Sequence, residues 1–366
     1  MPLIVDSHLD LAWNALSWKR DLTLPLDEMN ARDAQLDSRL GRGRATITFP
    51  EMRRGGVFLC LGTLMARVPR GAHMVHGEML DYPSQEVAFG VAQGQLAYYR
   101  QLEAMGEVRL ITSRDQLGEH WQQWSAATEE QRLALPIGII LAMEGCDAIV
   151  NPEQADRWYA DGLRAPALVH YGTSTYAVGT GEEGPLPAAG IAMLAEFERL
   201  GMVLDMTHLS DASFWETLDH FGGAVIASHQ NCRSLVPGQR QFADEQLRAI
   251  ISRDGVIGSA LDAWMLHPGW VRATTLDETT SRDLVPLVNV VDHMEHICQL
   301  AGNCRHIAIG SDLDGGFGHE QTPRELMTIA DLQKIAELLS QRGFSDADID
   351  AVFHGNWMRF WGERLS

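Results

Sequence analysis

Six short apolar runs in this chain lead directly into residues able to bind a metal ion or move a proton. The first runs into Asp6-Ser7-His8-Leu9-Asp10. Later ones run into Glu144-Gly145, His170-Tyr171, Met206-Thr207-His208, Ser228-His229 and Gly310-Ser311-Asp312. Imidazoles mixed with carboxylates are the donor set of Zn²⁺ and similar first-row ions. In His8-x-Asp10 the two side chains lie two residues apart, on one face of a strand, and so can grip one ion. Any one of these histidines alone reads more simply as a satisfied core or loop residue. Six coincident run ends do not read that way.

Other motifs carry less. Gly179-Thr180-Gly181-Glu182-Glu183-Gly184 matches a dinucleotide fingerprint in letters. It follows a polar stretch, its two glutamates would repel a pyrophosphate, and Pro185 comes next, so it reads as a loop. His293-Met294-Glu295-His296 reads as a solvated helix face. Neither HExxH nor GxSxG occurs, which removes the signatures of zincins and of serine hydrolases. Cys232 reads as packing. Trp13, Trp264 and Trp270 are placed to wall a pocket or to pack its rim.

What positions these residues is a repeating pattern. Eight runs read as strands: Pro2–Val5, Gly56–Leu64, Ile137–Met143, Ala165–Val169, Met202–Asp205, Ala224–Ala227, Val256–Ala260 and His306–Ile309. Most are continuously apolar, as in parallel sheets covered on both faces. Helical patterns fill the gaps, including Ile191–Leu200 before Gly201, Asp244–Ser252, and Leu326–Arg342 before Gly343. Ser345-x-x-Asp348 forms a capping-box pattern ahead of the last helix. This predicts a (β/α)8 TIM barrel of the metal-dependent hydrolase type, a single catalytic domain over residues 1–366. Parallel barrel strands bring all their C-terminal ends to one face. Long loops at about 21–50 and 73–83 follow two such ends and are expected to cover that face or to be surface insertions.

The 366 residues carry a net charge of −20, which disfavours nucleic acid and anionic membrane as partners. The five cysteines are odd in number and form no CxxC, against a disulfide framework or a thiolate zinc site. The N-terminus reads as no signal peptide, and no apolar run approaches the roughly 20 residues that span a bilayer, so a cytoplasmic location is expected. A homodimer is left open.

The ordered set His8-Leu9-Asp10-Leu11-Ala12-Trp13, Glu144-Gly145, Leu168-Val169-His170, Asp205-Met206-Thr207-His208-Leu209-Ser210, Ser228-His229 and Gly310-Ser311-Asp312-Leu313-Asp314-Gly315 resembles the membrane (renal) dipeptidase family of binuclear zinc peptidases. Gly355-Asn356-Trp357-Met358-Arg359-Phe360 resembles that family's C-terminal helix motif. The resemblance implies that His8 and Asp10 bind one zinc, that His208 and His229 bind a second, and that Glu144 bridges both. It implies that His170 polarises the scissile carbonyl and contacts substrate, that Asp312 shuttles the proton, and that Arg240 binds the substrate carboxylate. Arg233 is the rival of Arg240, and Asp314 that of Asp312. The implied reaction is cleavage of dipeptides, some with a D-residue at the C-terminal position, by a metal-bridging hydroxide. Hydrolysis of N-acyl amino acids or lactones is the alternative, and a metal-free scaffold the remote third reading.

Overall fold

The computed structural model describes residues 1–70 and 80–365. Nine parallel strands form one sheet: β1 (Ile4–Leu9), β2 (Val57–Leu64), β3 (Val108–Leu110), β4 (Ile137–Glu144), β5 (Leu163–Ala167), β6 (Leu204–Asp205), β7 (Val225–Ile226), β8 (Ile257–Ser259) and β9 (Ile307–Ile309). Their spatial order is β7-β6-β5-β4-β2-β1-β9-β8, with β3 beside β4. A single bridge between Ala227 and Ile257 joins β7 to β8, so the sheet curls into a nearly closed barrel. β2 and β4 are buried along their whole lengths, which is why their sequences run apolar without alternation.

All eight expected strands are present, and the barrel is the expected one. The expectation errs at β1, which continues through Leu9 and so carries His8 within the strand. It also lacks β3. This three-residue strand pairs with Ile137–Ile139 at the start of β4, while β5 pairs with Leu141–Glu144 further along.

The barrel interior is closed partly by backbone. Ser7 Oγ, pointing inward from β1, donates to the carbonyls of Ser228 and Ile309. A Cβ on Gly310 would sit 1.9 Å from the Ser228 carbonyl oxygen, so only glycine lets these strand ends meet.

The helices match in part. Asp244–Ser252 forms as expected, and Ala188–Leu200 ends on Gly201 at φ 69°. Leu326–Arg342 is instead a 3₁₀ turn, Ile329–Gln333, running into the helix Lys334–Gln341. Ser345 and Asp348 make the reciprocal capping box. His293 does not lie on a solvated face: it is buried, and its Nδ1 accepts from the Cys232 amide. The stretch 21–50 is more than a loop. It holds the helix Leu26–Asp33 and a buried ion network in which Asp33 takes Arg20 and Arg42. Most of the expected loop at 73–83 lies outside the described residues. Among those described, no helix is long and apolar enough to cross a membrane.

Candidate metal centre

The C-terminal strand ends deliver one cluster. Glu144 is the last residue of β4, and His8 lies at the end of β1 with Asp10 just beyond. His170, His208, His229 and Asp312 each stand three residues past the ends of β5, β6, β7 and β9. His208 and Asp312 adopt left-handed backbone, with φ of 71° and 57°. Non-glycine residues hold this conformation where the surroundings over-determine it, as functional sites often do. At Gly315 a Cβ would lie 2.1 Å from Asp312 Oδ1, so the turn that aims this carboxylate requires glycine.

Glu144 is the hub. Its Oε2 lies 3.5 Å from His8 Nε2, which is itself 3.7 Å from Asp10 Oδ1. Its Oε1 lies 3.1 Å from His208 Nε2 and 3.4 Å from His229 Nε2, and those two nitrogens are 3.1 Å apart. Ligands 2.0–2.1 Å from a tetrahedral ion stand about 3.3 Å from one another. Each carboxylate oxygen thus faces one donor set at ligand spacing. His8 Nε2 and Glu144 Oε1 are buried and make no hydrogen bond among the described residues, as donors awaiting a cation would.

The opposite ring nitrogens meet different partners. His208 Nδ1 is 3.0 Å from Thr180 Oγ1, His229 Nδ1 is 2.9 Å from Ser228 Oγ, and His8 Nδ1 is 3.4 Å from that same hydroxyl. With Nδ1–H donating to these hydroxyls, each Nε2 lone pair is free for metal. His170 is different. Its Nδ1 lies 2.9 Å from Arg67 Nη1, and a guanidinium only donates. A neutral His170 that accepts there carries its proton on Nε2 and has no lone pair at that nitrogen, although it lies in a compact triad with Glu144 and His208. Thr63 donates to Asp10 Oδ1.

The electrostatics call for positive charge. Burial works against protonation of His8, yet Glu144 and Asp10 pull its pKa up to about 10. Burial and then Glu144 push Asp10 up to about 6. Burial holds His208 down at about 3, with Arg240 adding to the effect. Burial likewise holds His229 and His170 well below the ordinary imidazole value. Buried carboxyl groups beside one imidazolium, ringed by neutral imidazoles, fit divalent cations well.

The cluster floors a cavity of about 610 Å³. Its walls include Trp13, Trp264 and Trp270, together with Arg67, Arg240 and Arg272.

Residues 1–365 of the chain match the family model described as membrane dipeptidase, peptidase family M19. The chain belongs to the membrane dipeptidase family. A Klebsiella pneumoniae protein of uncharacterised role is 32% identical over 182 residues, spanning 50% of this chain and 62% of that protein. The dipeptidase verJ of Clonostachys rogersoniana is 27% identical, over 97% of this chain and 82% of its own. Coverage of the first relatives is thus partial: the matches span 62% and 51% of the first two. A Rhodobacter sphaeroides metallo peptidase, solved with a phosphinate mimic of L-Ala-D-Ala, shares the fold with a TM-score of 0.77 at 21% identity, covering 100% of this chain and 99% of that one. The probable dipeptidase PvdM of Pseudomonas aeruginosa gives 0.74 at 17% identity, covering 100% and 96%.

In this family member the rival residues stand in different surroundings. Arg240 is buried at the cavity and spends two N–H groups on Gln230 Oε1 (2.6 Å) and the His229 carbonyl (3.0 Å). Among the described residues it makes no salt bridge. Arg233 is tied to both oxygens of Asp211. Asp314 accepts from the amides of Thr46 and Ile47 and from the Thr46 hydroxyl, a turn anchor away from the cavity wall. The dinucleotide-like glycines form a loop whose Thr180 supports His208. Sequence reasoning missed Arg67, Thr63, Thr180 and the pair Asp262–Arg272 on the cavity wall. Only Thr63, near the end of β2, carried a positional signal.

Proposed function

We propose that the protein is a zinc-dependent dipeptidase using two metal ions, cleaving dipeptides with an L- or D-residue at the C-terminal position. The observation that carries this reading is Arg240: a buried guanidinium that forms no ion pair and keeps N–H groups unspent among the described residues, opening on the same cavity as the Glu144 cluster. A dipeptide places a carboxylate one residue from its scissile bond, and a planar fork of donors matches that group.

His8 and Asp10 would hold one ion, His208 and His229 the other, and Glu144 both. Bound there, two divalent ions would lower the pKa of water towards neutrality and polarise the peptide carbonyl. Arg240 fixes the register of the substrate. His170, donating from Nε2, meets the charge that grows on the carbonyl oxygen. Asp312 takes a proton from the attacking water and passes it to the leaving amine. The membrane dipeptidase family and the family members named as dipeptidases support this reading.

A library of L-L and L-D dipeptides, with N-acyl amino acids and lactones alongside and with elemental analysis of the purified protein, tests it. Turnover of N-acyl amino acids or lactones alone would overturn it. Arg240→Ala should lose about 1.5–3 kcal/mol of kcat/KM on dipeptides, the scale of hydrogen bonds to a charged group. The loss should be much smaller on dipeptide amides, which lack the carboxylate. Equal losses on acid and amide would show that Arg240 does not hold the carboxylate.

A further inference from the structure

Arg67 belongs to none of the donor sets, yet it is buried against His170, the one cavity histidine among the described residues that stands outside those sets. It follows β2, and its backbone is locked to the chain that returns after residue 79. The Arg67 amide donates to the Leu80 carbonyl and the Tyr82 amide to the Arg67 carbonyl, both at 2.8 Å. Its side chain is equally committed. Nε and Nη2 reach Asp81 Oδ1 at 2.8 and 2.7 Å, which turns the third edge of the fork, Nη1, onto His170 Nδ1 at 2.9 Å.

We infer that Arg67 is a positioning residue that fixes His170 as a hydrogen-bond donor into the cavity, with Asp81 aiming Arg67 in turn. A neutral imidazole has one N–H and can carry it on either nitrogen. For the reaction the two choices are opposite. With the proton on Nε2 the ring stabilises negative charge growing on a carbonyl oxygen; with the proton on Nδ1 it turns a lone pair towards that oxygen. A partner that can only donate removes the second choice. The same contact keeps His170 Nε2, 3.9 Å from Glu144 Oε1, from becoming a further metal ligand. The inference rests on the dipeptidase reading only for which oxygen His170 meets. The tautomer itself is independent of the substrate.

The test uses the metal-loaded protein labelled with ¹⁵N-histidine. Two-bond proton–nitrogen correlation reports which ring nitrogen is protonated, and His170→Asn assigns the signals. In the unsubstituted protein, His170 should show bare Nδ1 and protonated Nε2. Arg67→Met should mix the two tautomers. Arg67→Gln, whose amide can still donate, should restore the original pattern. Kinetically, Arg67→Met should lower kcat about 10- to 100-fold, the usual loss when a partner orienting a site imidazole is removed. KM should stay within about twofold, because ground-state binding is untouched. Arg67→Gln should recover most of the rate. A protonated Nδ1 in the unsubstituted protein overturns the inference without any appeal to variants of Arg67. So does a loss confined to KM, which would make Arg67 a substrate binder, or equal losses for Met and Gln. The expected spectra from a protein that cleaves no dipeptide would leave the positioning role standing and sink the dipeptidase reading.

Discussion

Removal of the metal ions should abolish hydrolysis, and Glu144→Gln should come close to doing the same. Each Glu144 oxygen faces a different donor set, His8 on one side and His208 with His229 on the other. An amide keeps one oxygen and turns an NH₂ group towards the other ion. Withdrawing one charge from a buried cluster of this kind costs about 3–5 kcal/mol, so at least one ion should bind roughly 10²–10⁴-fold more weakly. Elemental analysis should read two divalent ions per chain in the unsubstituted protein and fewer in the variant. Calorimetry adds a second signature. Without cations, Glu144 and Asp10 overcome burial and hold His8 protonated to about pH 10. Metal binding at neutral pH must therefore expel that proton, and affinity must rise with pH. Metal-free protein with full activity in chelator would end the mechanism.

The legibility of this site in the sequence follows from how each residue acts. A strand buried on both faces writes its own signal, and a polar residue ending such a run stands out. That is why His8, Glu144, His208, His229 and Asp312 are readable from the order of residues alone. β3 is not, because Val108-Arg109-Leu110 is too short to show a period and forms only by pairing with the start of β4. His293 is a different miss. It shares a helix face with the buried Val290, Met294 and Ile297, so the spacing already marks it as internal; only its partner, the Cys232 amide, is hidden. Arg67 has no local signal at all. Its meaning lies in a contact with a residue 103 positions away. Thr180 is similar: it stands in a glycine-rich stretch whose letters point to a nucleotide, while its hydroxyl meets His208, 28 residues on. Residues that face the chemistry are written in local pattern; residues that hold those in place are written in tertiary contact.

Asp312→Asn should leave metal content and KM nearly unchanged and lower kcat by roughly 10²–10⁴-fold, the contribution of a positioned acid–base group. The carboxylate stands at the cavity with Oδ1 3.9 Å from His8 Nε2, close to where water would meet the ions. Burial raises its pKa well above the ordinary carboxylate range, and Asp10, Glu144 and Asp262 add to the effect against the pull of His8. Cations bound at the cluster would bring the pKa back down. A group balanced between those influences can both accept a proton and return it. It must be ionised to accept, so kcat should rise with pH through its pKa on the acid side. Asparagine is nearly the same shape, cannot take the proton, and should erase that limb of the profile. Asp314→Asn is the control, because Asp314 is spent on the amides of Thr46 and Ile47. That variant should unfold at lower temperature while the pH profile of kcat keeps its form. A near-normal kcat for Asp312→Asn would pass the proton transfer to solvent. A loss of rate in Asp314→Asn without loss of stability would pass it to Asp314.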